Sequence, residues 1–179
     1  LTYASTDAFF FNTALCLEMV LGGGKTWVLG SEGVDTGDPR SFETFDEFMQ
    51  AYRAQISHFI RHLVVCFQAI GQAHRELLPC PFQSATIRDC VENGLDVKQG
   101  GARYNFTGGN AIGTAIVADS LMAIKKFVFD EKKISMDEMI EILQKNFEGH
   151  EDTRLMFLNR APKYGNDDDY VDLLLHDAY

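Results

Sequence analysis

Apolar residues recur at helical intervals along most of the chain, with glycine and proline as punctuation. Residues 7–21 (DAFFFNTALCLEMVL) are almost continuously apolar and predict a buried helix closed by Gly22, Gly23 and Gly24. Residues 22–40 are polar, carry Gly30, Gly33, Gly37 and Pro39, and read as a long loop. Ser41 offers an N-cap acceptor and Glu43 a first-turn acid, which predicts a helix start there. Phe45, Phe48, Met49, Tyr52, Ile56, Phe59, Ile60, Leu63, Val64 and Phe67 keep helical spacing to about Arg75, and Pro79 and Pro81 stop the helix. That much apolar surface on one helix requires packing partners on more than one side.

Shorter elements follow. Residues 84–92 predict a helix closed by Asn93 and Gly94 in a left-handed cap. Residues 101–106 predict a strand. Residues 110–129 predict a helix whose apolar face holds Ile112, Ala115, Ile116, Ala118, Leu121, Met122 and Ile124, with Asp119 and Ser120 as a buried hydrogen-bonding pair. Ser135 and Glu138 have capping-box spacing ahead of a helix that carries Met139, Ile140, Ile142 and Leu143 to Phe147. A further helix covers 152–158, and a last one opens near Asp168 and includes Val171, Leu174 and Leu175.

An isolated strand cannot satisfy its own edges, whereas a strand that feeds a long helix is half of a crossover in a parallel sheet. The predicted class is therefore α/β: residues 1–179 form a single, mostly helical section of a larger structure. The helices over 7–21 and 45–75, too apolar for a surface, point the same way.

Charge narrows the possible partners. The 179 residues carry a formal charge of −10 and a pI near 4.8, which argues against binding a phosphate backbone. Asp167, Asp168 and Asp169 and the acids across 130–152 read as solvated faces. No apolar run reaches the roughly 18–20 residues of a membrane span; the longest, 59–70, is broken by Arg61, His62 and Gln68. The start at Leu1 lacks a Met and a basic region, so the chain reads as beginning within a longer protein. Cys16, Cys66, Cys80 and Cys90 show no C-x-x-C spacing and read as buried, reduced thiols of a cytoplasmic protein.

Several familiar motifs are incomplete. Gly24, Lys25 and Thr26 resemble the end of a phosphate-binding loop, but the required earlier glycine position holds Met19. Asn110 stands where the middle glycine of a dinucleotide fingerprint belongs, so Gly108 and Gly109 are assigned a turn and a close backbone approach. His58 and His62 share a helical face without a third ligand, and no metal site is assigned.

Four blocks in one register do carry a resemblance. They are Pro81-Phe82-Gln83-Ser84, the glycine-rich stretch 100–126, Asn146-Phe147-Glu148-Gly149 and Lys163-Tyr164-Gly165-Asn166-Asp167. Together they resemble the glycyl radical enzymes, the pyruvate formate-lyase-like family. The resemblance covers nearly the whole chain, most specifically 81–167.

It implies a section of a ten-stranded α/β barrel whose enclosed cavity shields a radical from water and oxygen. It also implies that the radical glycine and the catalytic cysteine and glutamate lie outside these residues. Cys90-Val91-Glu92 imitates the cysteine segment, but its surroundings resemble a later family block; Cys16-Leu17-Glu18 has the same spacing inside an apolar helix. Tyr104 is expected nearest the substrate, with Asn105 and Thr107 as further substrate-binding candidates. The Lys163–Asp167 block is expected to order a loop against a more C-terminal segment.

No cofactor is expected on this section. A separate S-adenosylmethionine-dependent iron–sulfur enzyme would generate the radical. Expected partners are a small-molecule substrate, that activating enzyme, the remainder of the same polypeptide and a second copy in a homodimer, with neither nucleic acid nor membrane among them. The pattern is more like the dehydratase and amine-lyase branch (glycerol, propanediol, hydroxyproline or choline) than like a pyruvate formate-lyase-type acyltransferase. A non-catalytic helical scaffold or remnant is the reading from another class.

Overall fold

A computed structural model describes residues 3–5 and 9–178, with side chains for 9–106 and 108–178. The protein is predominantly helical. Its elements are β1 (Tyr3–Ser5), β2 (Phe10–Asn12), α1 (Thr13–Leu21), a 3-10 turn (Pro39–Ser41), α2 (Phe45–Leu77), α3 (Pro81–Thr86) and α4 (Cys90–Asn93). A second 3-10 turn (Val97–Gln99), β3 (Asn105–Thr107), β4 (Asn110–Ile112), α5 (Thr114–Ile124), a π-helical turn (Lys125–Asp130), α6 (Met136–Gln144), α7 (Glu151–Arg160) and α8 (Asp169–Ala178) follow. Among the described residues, β1 pairs with β3 in parallel, Tyr3 opposite Asn105, and β2 pairs with β4.

The chain divides into two compact units: Leu1–Phe11 with Ile60–Ala111, and Asn12–Phe59 with Ile112–Tyr179. The second holds the larger core. Val20 of α1, Phe48 and Tyr52 of α2, Leu121 of α5, Phe127 of the π turn and Ile140 of α6 are all fully or almost fully buried. Ala118 and Met122 of α5 pack on Val171 of α8, flanked by Leu174 and Leu175. The Phe129 ring sits 5.8 and 6.2 Å from those of Phe45 and Phe48. In the first unit a smaller cluster joins Cys90, Val97 and Ala102, with Cys80 and Ile87 against it.

Several boundaries differ from expectation, each for a local reason. The first helix starts at Thr13, because the Asn12 side chain accepts the Ala14 and Leu15 N–H groups as N-cap, and the residues before it form β2; Asp7 and Ala8 lie outside the described residues. The α2 cap is Thr44 rather than Ser41: Glu47 accepts the Glu43 and Thr44 N–H groups, while Thr44 Oγ1 accepts from Glu47 N–H. Ser41 instead closes a 3-10 turn, donating to the Asp38 carbonyl at 2.7 Å. The helix expected over 84–92 is two short ones, interrupted by extended Ile87 and by Asp89 at φ 76°.

Residues 110–112 form a strand because Gly113, at φ 81°, turns the chain before α5, and the Thr13 hydroxyl holds the Ile112 carbonyl at 2.8 Å. The strand expected at 101–106 lies at 105–107. Ile116 is 64% exposed, so the buried face of α5 runs through Val117, Ala118, Leu121 and Met122. Asp119 is only half-buried and reaches away from Ser120, accepting the Tyr164 N–H at 2.9 Å. Cys66 is exposed, whereas Cys16 and Cys90 are buried, and all four thiols are free.

Other expectations hold. The Ser135–Glu138 capping box forms on both sides. Gly94 closes α4 in the left-handed conformation. α2 ends before Pro79. Gly109 approaches its neighbour so closely that a Cβ would overlap the Phe9 ring.

Candidate functional site

The sequence candidates stand at the end of a braced segment in the first unit. Its base is a hydrogen-bonded hub. The Ser84 hydroxyl, buried in α3, lies 2.7 Å from the Cys80 carbonyl and 2.8 Å from Asp96 Oδ2, and it accepts the Val97 N–H at 2.9 Å. Asp96 also accepts the Cys80 N–H at 2.7 Å and the Lys98 N–H at 2.8 Å, and it forms a capping box with Gln99. Burial acts to raise the Asp96 pKa. Hydrogen bonds from Lys98 N–H, the Ser84 hydroxyl and Cys80 N–H outweigh it and hold the carboxyl below its ordinary value.

From this hub the chain passes through Gly100, left-handed at φ 86°, into the turn that presents Tyr104. Asn93 Nδ2 donates to the Gly101 carbonyl at 2.9 Å. Gly101 has no room for a side chain, because a Cβ would overlap the Leu95 carbonyl oxygen.

Tyr104 lies just before β3 and is 47% exposed. Its ring stacks on that of Phe106, centroids 6.3 Å apart at 7°, as strand alternation dictates for residues two apart. The Arg103 guanidinium carbon stands 5.7 Å from the Tyr104 centroid, within cation–π range. Asn105 turns its amide back to the Ala102 carbonyl and so braces the turn. Thr107 is placed by its pairing opposite Ser5, and its side chain lies outside the described residues. The result is an exposed pair of stacked rings with one phenolic hydroxyl and an adjacent cation, suited to a small polar molecule carrying hydroxyl or anionic groups.

Cys90 is buried against Val97 and Ala102. Burial pushes its thiol up, with Asp96 and Asp89 adding to the effect, and Glu92 beyond it is exposed. The Cys16 thiol is pushed up to about 12 by burial alone. Raised thiols in apolar surroundings are poor nucleophiles, the behaviour of structural cysteines. Among the described residues no group of three or more His, Cys, Asp or Glu side chains is placed to hold a metal ion. No helix among them is long and apolar enough to cross a membrane.

The Lys163–Asp167 block forms a tight loop in the second unit. Lys163 Nζ donates to the Phe157 carbonyl at 3.1 Å, and Gly165 and Asp167 are left-handed. Sequence reasoning missed the Asp96 hub. The signal was present in Asp96 and Gln99, which have capping-box spacing.

The pyruvate formate lyase-like family model matches residues 2–179. A (2S)-3-sulfopropanediol dehydratase from Klebsiella oxytoca is 40% identical over 172 residues, which are 95% of this chain and 21% of that protein. Hydroxyproline dehydratase from Clostridioides difficile, solved with trans-4-hydroxy-L-proline bound, superposes with a TM-score of 0.91 at 37% identity, covering 94% of this chain and 22% of that one. The glycerol-bound, B12-independent glycerol dehydratase from Clostridium butyricum gives 0.86 at 38% identity, covering 94% and 21%. The chain thus spans about a fifth of the length of these relatives. A match over all but the first residue, at this identity and this structural likeness, means that the chain belongs to the pyruvate formate lyase-like family, the glycyl radical enzymes.

Proposed function

We propose that these residues are a section of a glycyl radical dehydratase or lyase that cleaves a bond in a small hydroxylated substrate, and that Tyr104, Asn105 and Thr107 stand at the edge of its substrate cavity. The observation that carries this reading is the naming of relatives that match 95% of the chain or more. They include dehydratases of trans-4-hydroxy-L-proline and (2S)-3-sulfopropanediol and lyases of isethionate. Those names favour the dehydratase and lyase branch over acyl transfer. The parallel β1–β3 pair then corresponds to two strands of a ten-stranded barrel, and Tyr104 to a residue at a strand end facing its interior.

In this reading the glycine and cysteine radicals, carried elsewhere on the polypeptide, supply hydrogen-atom abstraction. The residues described here orient the substrate and exclude water. The Tyr104 ring walls the cavity while its hydroxyl bonds the substrate, and Phe106 and Arg103 pack beside the ring. The complete protein acts in the cytoplasm as a homodimer. A separate S-adenosylmethionine-dependent iron–sulfur enzyme activates it.

The test is anaerobic activation of the complete protein, followed by electron paramagnetic resonance and by turnover of trans-4-hydroxy-L-proline, glycerol, 1,2-propanediol and isethionate. A glycyl radical signal with turnover of one of these supports the reading, and absence of the radical under activating conditions overturns it. Tyr104→Phe is expected to keep the radical and raise KM roughly tenfold, the loss of about one substrate hydrogen bond. An unchanged KM removes Tyr104 from the site.

A further inference from the structure

Between Lys98 and Asp119 the chain carries one charged residue, Arg103. It stands in the turn that presents Tyr104, ahead of the regular alternation of β3, so its guanidinium reaches the neighbouring ring at 5.7 Å from the centroid. That contact uses the charge and none of the five N–H donors. Among the described residues no carboxylate pairs with Arg103, and the Tyr104 ring is its one partner. Asp96, the acid of the hub, commits its oxygens to the Ser84 hydroxyl and to the Cys80 and Lys98 N–H groups. Asn105 turns its amide back to the Ala102 carbonyl. On an open surface water satisfies such a guanidinium. At the edge of a closed cavity it does not, and a desolvated cation without a counter-anion is strongly unfavourable.

We propose that Arg103 sets the specificity of the site: it binds an anionic group, carboxylate or sulfonate, on a substrate whose hydroxyl meets Tyr104. This rests on the reading of Tyr104 as a residue at the cavity edge and adds the substrate class to it. The planar fork of a guanidinium matches the paired oxygens of an oxyanion, and two parallel charge-assisted hydrogen bonds fix the anion's orientation as well as its position. The substrate is then held at two points, phenol to hydroxyl and guanidinium to anion. A neutral polyol fills the first point and leaves the second cation uncompensated. That penalty selects against it, so the residue discriminates by what it rejects as well as by what it holds.

The test is calorimetric titration of the complete protein, left unactivated so that no turnover intrudes. The probes are trans-4-hydroxy-L-proline for a carboxylate, isethionate for a sulfonate, and glycerol and 1,2-propanediol as neutral molecules. At least one of the two anions is expected to bind, and the tighter of them tells carboxylate from sulfonate. Arg103→Gln is expected to weaken that anion roughly 10–100-fold and to leave the neutral probes unchanged. Arg103→Lys, which keeps the charge and loses the fork, is expected to weaken it roughly 3–10-fold. Arg88→Gln makes the same charge change at an exposed arginine outside the turn and is expected to change nothing. A wild type that binds neither anion overturns the inference. So does an Arg103→Gln variant that binds the anion normally, which would mean that a carboxylate elsewhere in the protein neutralises Arg103, or one that loses charged and neutral probes alike, which marks a structural role. If Arg103→Gln fails to fold, Arg103→Lys decides, and its binding the anion as wild type does overturns the inference. The two readings fail separately: a glycyl radical in a protein without anion preference removes only the role of Arg103, whereas Arg103-dependent anion binding in a protein that forms no radical removes only the radical chemistry.

Discussion

The Ser84 hydroxyl meets the Asp96 carboxylate at 2.8 Å while accepting the Val97 N–H at 2.9 Å, and so joins α3 to the 3-10 turn that precedes the Tyr104 segment. Val97 is 2% exposed, which leaves its N–H little access to water. Ser84→Ala removes that N–H group's acceptor and costs about 1–3 kcal/mol, the penalty of a buried unsatisfied donor. The cost is local. Hydrogen exchange of the amides over 80–105 is expected to quicken by about 5–150-fold, while α6 and α8 stay protected. Uniform loss of protection across the chain would contradict the hub's independence.

The same carboxylate makes that segment sensitive to acid. Asp96 has a lowered pKa in the folded protein, so its stabilisation is fully present above the unfolded value of about 3.9 and is lost as pH falls through the lowered native value. Asp96→Asn is therefore expected to speed exchange over 80–105 at neutral pH. The gap between wild type and variant should close as the pH falls below about 4. A gap that widens on acidification reverses the sign and refutes the assignment.

What the sequence revealed and what it hid follows the range of the interactions. The Ser135–Glu138 box and the Gly94 cap were legible because each is complete within a few residues. The starts of α1 and α2 were misplaced because Asn12 and Thr44 stood beside other acceptable caps, and only the pairing of β2 with β4 and the reach of Glu47 decided between them. The family blocks located the Tyr104 turn, but the hub behind it depends on contacts twelve and sixteen residues apart, from Ser84 and Cys80 to Asp96. The apolar surface of α2 was half legible, with Phe48 and Tyr52 buried and Ile70 and Leu77 exposed. Its excess was evident in the residues, whereas which part is covered and which is open needed the fold.

Gly109 tests a close approach. A Cβ there would overlap the Phe9 ring, and that ring also rests on Phe67. Gly109→Ala must push the ring aside, at a cost of about 1–3 kcal/mol for overpacking. Phe9→Ala alone is also destabilising, because it uncovers Phe67. The double variant is expected to be less destabilised than the sum of the two, since the added methyl occupies space the ring has left. Thermal unfolding of the four proteins measures this coupling, and strict additivity would mean that the alanine is accommodated elsewhere.

Gln55 provides a contrast between buried and exposed restraints on one loop. Its side chain is fully buried and grips both backbone groups of Val34, accepting the N–H at 3.0 Å and donating to the carbonyl at 2.6 Å. Lys25 and Glu32 pair across the same loop at 2.6 Å in full view of solvent, where water and salt screen the attraction. Leucine at position 55 has similar bulk and no polar atoms, so Gln55→Leu strips Val34 of both partners at about 1–3 kcal/mol. Lys25→Ala leaves the buried clamp intact. Brief proteolysis should therefore cut residues 27–37 of the Gln55→Leu variant about 5–100-fold faster than wild type and leave the Lys25→Ala loop close to wild type. Equal cutting of both variants would show that the surface pair, and not the buried amide, holds the loop against α2.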